Sequence, residues 1–335
     1  MTRVLRLGTR RSALALAQSG WVARRIEQAA GGAVRVELVE VTTDGDTSTA
    51  PLTSFGGVGV FVSSLRTALL AGEIDLAVHS LKDLPTAPAP GLVVAAIPPR
   101  EDPRDVLVAR DGASLAELPA GSRIGTGSPR RAAQLRAMGF GLEVVDLRGN
   151  VDTRIARVLG SPDRGPGDLD GVVLARAGLL RLGRDHEASE VIDPLVMLPA
   201  PGQGALAVEC RAPGGHDTGD TDAAQILALL TPLDDAATRA CVEAERALLA
   251  TLEAGCAAPL GALAEIVDDV DGEQLWLRAV VASVDGSHSL RRSALGSATD
   301  AASVGVALAA ELLAEGAGEF VGRHPVAAAR GEVEQ

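Results

Sequence analysis

The chain has 335 residues, too many for one hydrophobic core and enough for two or three domains. With 47% apolar and 22% charged residues it has the composition of an ordinary globular protein, and no apolar run approaches the roughly 18 residues that span a bilayer. A net charge of −13 with 2% aromatics lacks the basic face and stacking rings of a nucleic-acid binder.

The chain opens as a strand (Val4–Leu7), a polar turn (Gly8–Ser12) and a helix from Ala13 to about Ala29, with Ser12 suited to its N-cap. A second strand, Val34–Val41, leads into a polar loop, and Ser54–Phe61 is a glycine-rich connection before a helix ending near Leu70. Ile74–Val78 reads as a short buried strand that ends at His79. The pattern restarts near Ser122. Strand Arg123–Ile124 runs into Gly-Thr-Gly-Ser-Pro-Arg-Arg131 and a helix from Arg130 to Met138, and strand Leu142–Leu147 meets Arg148-Gly-Asn150 and another helix. Strand Val172–Leu174 follows. Strands alternating with helices indicate two α/β domains of similar design with parallel sheets.

Proline-rich segments Ile97–Pro103 and Leu198–Gly202 are hinge candidates, and Ala205–Glu209 is expected to return to the first domain as a further strand. Beyond Arg211 come helices Ala223–Leu230 and Ala236–Glu253, then strands Leu260–Ile266, Leu275–Val281 and Ser289–Leu295. Asp285-Gly286 forms the turn between the last two, and a helix Ala301–Glu315 closes the domain. The expected division is residues 1–98 with 200–218, then 103–197 as the anion-binding domain, then a smaller α+β domain over 222–322 with a three-stranded antiparallel sheet. Residues 323–335 are expected to be a disordered tail. The first ten residues show no secretory pattern, so the expected compartment is the cytoplasm.

Lys82 is the only lysine and Asn150 the only asparagine, in a chain whose other thirty basic residues are arginine. An ammonium and a guanidinium are not interchangeable, so a lone survivor marks a position where arginine would not serve. In open α/β sheets ligands bind outside the carboxyl ends of the strands. Arg10, the His79–Asp83 stretch, Thr126–Arg131 and Arg148–Arg154 all fall at such ends. Ser128 can cap the helix that Pro129 begins, and its unpaired amides together with Arg130 and Arg131 attract an anion, carboxylate or phosphate alike. Asp83 is the one acid inside this cationic loop and stays ionised beside Lys82. The concentration of arginine in an acidic protein points to a cavity for a small polyanion. Three cysteines without CxxC spacing or a nearby His cluster argue against a disulfide framework and a metal site. Cys210 and Cys241 read as buried packing residues, and Cys256, in Gly-Cys-Ala-Ala-Pro, as the accessible one, whether inert or reactive.

These motifs resemble one family, the hydroxymethylbilane synthases or porphobilinogen deaminases. The resemblance is carried by LRLGTRRSALALAQ, GEIDLAVHSLKDLP, PREDPRD, GTGSPRRAAQL, LRGNVDTR, ARAGLLRLG, LPAPGQGALAVECR and LEAGCAAPLG, from about Val4 to Phe320. It implies an enzyme that joins four porphobilinogen units head to tail with loss of ammonia. It also implies a dipyrromethane primer held by a thioether to Cys256, in the third domain. By the same resemblance Asp83 is the catalytic acid, and Arg10, Ser12, Lys82, Thr126, Ser128, Arg130, Arg131, Arg148 and Arg154 bind acetate and propionate groups. Arg181 matches a further arginine and Gln18 is a possible neighbour. A monomer acting on a small molecule, without nucleic acid, membrane or metal, is implied. The chain departs from the family where relatives carry basic residues, at Ser54, Val58 and Ser63. The alternative is a non-catalytic small-anion binder, since two doubly wound domains joined by paired hinges also describe periplasmic-binding-protein-like folds. That alternative leaves Cys256 and the third domain without a task.

Overall fold

The computed structural model describes residues 2–41, 60–162, 165–214, 221–253, 258–269 and 272–321. Strand β1 (Arg3–Thr9) leads through Ser12 into α1 (Ala13–Ala29) and back to β2 (Val34–Glu40), which pairs in parallel with β1 along its whole length. Helix α2 (Val60–Leu70) precedes β3 (Leu76–Ser80) and β4 (Leu92–Ala96). One face of this sheet packs Leu5, Leu7, Leu76 and Val78 against Val22 and Ile26 of α1. On the other face Ala77 and Ile74 meet Leu65 and Leu69 of α2. Cover on both faces explains why Leu76, Ala77 and Val78 of β3 are apolar in succession.

The chain then crosses to a second sheet. Its elements are β5 (Asp105–Ala109), β6 (Arg123–Gly125), α3 (Pro129–Ala137), β7 (Glu143–Val145), α4 (Val151–Leu159), β8 (Gly171–Ala175), α5 (Arg176–Leu182) and β9 (Glu190–Val191). The strand order is β7-β6-β8-β5-β9. It crosses back to supply β10 (Leu206–Arg211), giving the first sheet the order β2-β1-β3-β10-β4.

The expectation of parallel sheets needs one correction. β10 runs antiparallel to β3 and β4, and β5 runs antiparallel to β8 and β9. β5 and β10 are the strands that follow each crossing between the lobes. Neither arrives through a crossover helix from a neighbour in its own sheet, so nothing imposes the parallel sense.

Helix α6 (Thr221–Leu230) precedes α7 (Ala236–Thr251), then β11 (Leu260–Asp269), β12 (Gly272–Ala282), β13 (Ser289–Gly296) and α8 (Ala301–Ala314). The three strands form an antiparallel meander whose core joins Leu248 and Leu252 of α7, Leu308 and Leu312 of α8, and Leu275 and Leu277 of β12. A second correction concerns α6. It was expected in this third domain, but Ile226 and Leu230 lie in the first domain's core with Leu5 and Val22. Its apolar face is complementary to α1, and only after Pro232 does the chain leave for the third domain. The disordered tail expected over residues 323–335 lies outside the described residues.

The third domain is bolted to both hinge crossings. Glu245 of α7, fully buried, receives Arg100 Nη1 at 2.7 Å and Nη2 at 3.1 Å, Gly202 N at 2.6 Å and Ala264 N at 2.8 Å. Gly286, at φ 75°, lies so close to α3 that a Cβ there would sit 2.7 Å from Arg136 Cβ.

Candidate active site

Lys82 and Asp83 lie in a single turn of 3-10 helix that follows β3. Leu81 anchors the turn: its side chain is buried and its N–H donates to Ala205 O at 3.0 Å. From the third domain Arg246 donates to Leu84 O at 2.9 Å and to Pro85 O at 2.7 Å, fixing where the turn ends. Asp83 is exposed. Lys82 is half-buried and donates to Gln203 Oε1 at 3.4 Å. Burial first, then Arg131 and Arg130, bring its ammonium down to about 8 against the opposing pull of Asp83 and Asp105.

Across the crossing, the loop after β6 begins with Thr126, 4% exposed, whose Oγ1 accepts from Ser128 N at 3.1 Å. Ser128 caps α3 by accepting Arg131 N at 3.5 Å, and Pro129 occupies the first turn. Gly127 is required here because a Cβ would lie 2.6 Å from Leu147 O. Arg130 and Arg131 are 4% and 5% exposed. Arg130 Nη1 donates to Asp105 Oδ2 at 2.7 Å and to Leu198 O at 2.6 Å. Arg131 reaches Asp105 Oδ1 through Nε at 3.1 Å and Nη2 at 2.7 Å, and Val173 O through Nη1 at 3.0 Å. Burial alone would raise the Asp105 carboxyl, but the two guanidiniums outweigh it and hold the group well below the usual carboxylate range. Two cations on one carboxylate leave a surplus positive charge facing Lys82.

Arg154, on α4, donates through Nε to Gly149 O at 2.8 Å. Its guanidinium is lowered by burial and by Arg131, while Asp146 and Asp83 pull the other way. Lys82 of the first lobe is tied to the second through Gln203, which donates to Asp105, the carboxylate that Arg131 holds. Asn150 caps α4, accepting Thr153 N at 2.8 Å.

The other expected residues are less tightly grouped. Ser12 caps α1 through Ala15 N at 3.2 Å, with Arg10 beside it at the carboxyl end of β1. Gln18, on the inner face of α1, donates to Ser80 Oγ at 3.0 Å, next to the Lys82 turn. Arg148 is exposed and 3.8 Å from Asp146. Arg181 donates to Gly204 O at 2.7 Å, on the returning hinge, and burial draws it down to about 10. Cys256, Ser54 and Val58 lie outside the described residues. Ser63 lies in α2. Cys210 and Cys241 are buried, and burial pushes both thiols up to about 11. Among the described residues no group of three or more His, Cys, Asp or Glu could hold a metal ion, and no helix is long and apolar enough to cross a membrane.

Two residues at the centre were missed by sequence reasoning: Asp105, fully buried, and Gln203, 1% exposed. Gln203 Nε2 donates to Asp105 Oδ1 at 2.8 Å and to Pro103 O at 2.7 Å. They lie just past the hinge candidates Ile97–Pro103 and Leu198–Gly202, within the motifs PREDPRD and LPAPGQGALAVECR. Their roles depend on a contact between residues about a hundred positions apart.

Fold and site together define a class: a two-lobed α/β protein with arginines gathered where its lobes meet and a third domain clamped to both crossings between them. Residues 5–218 match the family model described as porphobilinogen deaminase, dipyrromethane cofactor binding domain, and residues 239–314 match the porphobilinogen deaminase C-terminal domain. The chain is 58% identical over 322 residues to the porphobilinogen deaminase of Nocardia farcinica, covering 95% of this chain and 88% of that one. It is 54% identical over 323 residues to that of Mycobacterium tuberculosis, covering 95% and 98%. This chain belongs to the porphobilinogen deaminase family. A TRAP periplasmic solute binding protein from Pseudomonas putida, 13% identical, superposes with a TM-score of 0.37 over 70% of this chain and 78% of that one, too slight a likeness to bear on function.

The described residues fit a carboxylate-rich cofactor such as dipyrromethane. Arg130 Nε is buried with no hydrogen-bond partner among the described residues. Arg130 and Arg131 crowd two cations onto one carboxylate, and Lys82 reaches the same cluster through Gln203, an arrangement that bound carboxylates relieve.

Proposed function

We propose that this chain joins four porphobilinogen molecules head to tail, releasing one ammonia at each joining, into the linear tetrapyrrole hydroxymethylbilane. The observation that carries this reading is a run of contacts across the hinge: Lys82 of the first lobe meets Gln203, which donates to Asp105, itself held by Arg130 and Arg131 of the second. Each pyrrole bears an acetate and a propionate, so a growing oligopyrrole is a polyanion that needs cations on both lobes. A dipyrromethane on Cys256 supplies, when bound, the nucleophilic pyrrole carbon and a covalent anchor.

The chain's own residues divide the work. Lys82, Arg130, Arg131 and Arg154 bind carboxylates, with Arg10, Arg148, Ser12, Thr126 and Ser128 along the cleft rim and Arg181 at the hinge. Asp83 is the catalytic acid. When the aminomethyl C–N bond of porphobilinogen breaks, the electron pair leaves with nitrogen as ammonia and the methylene-pyrrole is left positive. The aminomethyl group leaves as ammonia from its ammonium form, and the exposed Asp83 carboxylate at the cleft stabilises the positive charge left on the methylene-pyrrole. Asp105 cannot do this, because its oxygens are sealed and committed to Arg130, Arg131 and Gln203. The reading carries with it a cytoplasmic monomer.

Intact-protein mass spectrometry tests it. The wild-type chain is expected to exceed its sequence mass by two linked pyrroles, and the excess is expected to vanish in Cys256→Ser. Porphobilinogen-consuming protein of unmodified mass would refute it.

A further inference from the structure

Gln203 is buried at the crossing between the lobes, and every polar atom of its side chain is used. Its amide nitrogen is pinned to the second lobe by Asp105 Oδ1 at 2.8 Å and Pro103 O at 2.7 Å. That pinning leaves the amide oxygen pointing at the first lobe, where it meets Lys82 Nζ at 3.4 Å. Its backbone oxygen accepts Arg100 Nε at 2.8 Å, and Arg100 in turn is held by the buried Glu245. We propose that Gln203 is a positioning residue that couples the closed hinge to the Lys82 ammonium, presenting an acceptor to it when the lobes are together and withdrawing it when they part.

The argument is one of charge. Lys82 faces Arg130 and Arg131 from α3, Asp105 from β5, and its own neighbour Asp83. Asp105 is already shared between two guanidiniums, so the carboxylate nearest to Lys82 in the second lobe is largely spent. The amide oxygen of Gln203 is the acceptor printed into the wall by geometry, and it is available because Asp105 fixes which end of the amide points where. A glutamate in its place would repel Asp105 and an apolar residue would leave Lys82 against two arginines. For an oligopyrrole-binding cleft, the consequence is that Gln203 helps keep the ammonium charged where a carboxylate is to be met. As a statement about catalysis this rests on the reaction proposed above; the contact between Gln203 and Lys82 does not.

Because Lys82 is the only lysine in the chain, its charge can be read without ambiguity. Trace acetylation across pH 6 to 11, quantified on the peptide that contains Lys82, gives a midpoint that reports charge and a plateau that reports access. In Gln203→Met the midpoint is expected to fall by about 0.5–1 in pH, the loss of one hydrogen bond to a charged group. In Gln203→Glu it is expected to rise. A loosened structure would change the plateau in both variants and would not move their midpoints in opposite directions. In turnover, Gln203→Met is expected to raise KM for porphobilinogen about two- to fivefold at pH 8 and much less at pH 6.5, where Lys82 is largely protonated in either form.

Midpoints that stay at the wild-type value in both variants, or move the same way, overturn the proposal. Shifted midpoints with a pH-independent change in KM overturn its positioning role. A wild-type chain that does not consume porphobilinogen refutes the reaction and leaves the midpoints standing.

Discussion

Asp105→Asn removes one negative charge from beneath two guanidiniums and changes little else in shape. Four donor contacts converge on the carboxylate in the wild type: Arg130 Nη1 at 2.7 Å, Arg131 Nε at 3.1 Å and Nη2 at 2.7 Å, and Gln203 Nε2 at 2.8 Å. The side chain is wholly buried, so water cannot replace what is lost. Taking one member from a buried ion cluster costs about 3–5 kcal/mol, a large part of the roughly 5–15 kcal/mol that holds a domain folded. With a urea dependence of about 2 kcal/mol per molar, the denaturation midpoint of the second lobe is expected to fall by about 2 M at pH 7. The wild-type carboxyl is held below its unfolded value. Its contribution is therefore fully present above about pH 4 and fades as pH falls below that. The gap between wild type and variant should close on acidification. Urea titrations followed by circular dichroism at pH 7 and at pH 3.5 measure both effects. A fall of less than about 0.5 M at pH 7, which is about 1 kcal/mol at that slope, would refute the reasoning.

Asp83→Ala is expected to cut turnover about 10²–10⁴-fold. Because the side chain is exposed, the urea midpoint should hardly move; a variant of wild-type turnover would remove Asp83 from its role. Gly204→Ala forces a left-handed backbone (φ 89°) on a residue with a Cβ that would run into Glu101 O. It should cost at least about 1–2 kcal/mol in thermal or urea unfolding, and a neutral result would contradict the tight crossing described.

The sequence disclosed what depends on local pattern. α1 begins at Ala13 behind Ser12, as its cap and apolar spacing require, and α3 follows Ser128-Pro129 for the same reason. The senses of β5 and β10 were hidden, because strand direction after a hinge is set by the lobe the chain arrives from and no residue type records that. The membership of α6 was hidden too. Its apolar stripe with Ile226 and Leu230 could serve either domain, and the choice was made by the complementary face of α1.

The two acidic residues of the cleft mark where legibility ends. Asp83 could be picked out because it adjoins the only lysine and a strand end, features that lie within five residues of it. Asp105 sits in REDPRD, five charges in six residues, and nothing there separates it from a solvated surface acid. What makes it different is that Arg130, Arg131 and Gln203 arrive from 25, 26 and 98 positions away and close over it. The burial that holds its charge in place therefore exists only in the folded chain. A lone acid beside a lone lysine advertises chemistry, whereas the acid that holds the cationic wall together is recognisable only by its partners. The same asymmetry accounts for Gln203, a neutral residue in a glycine turn. Its amide acquires a direction, and so a function, only once Asp105 has claimed its nitrogen.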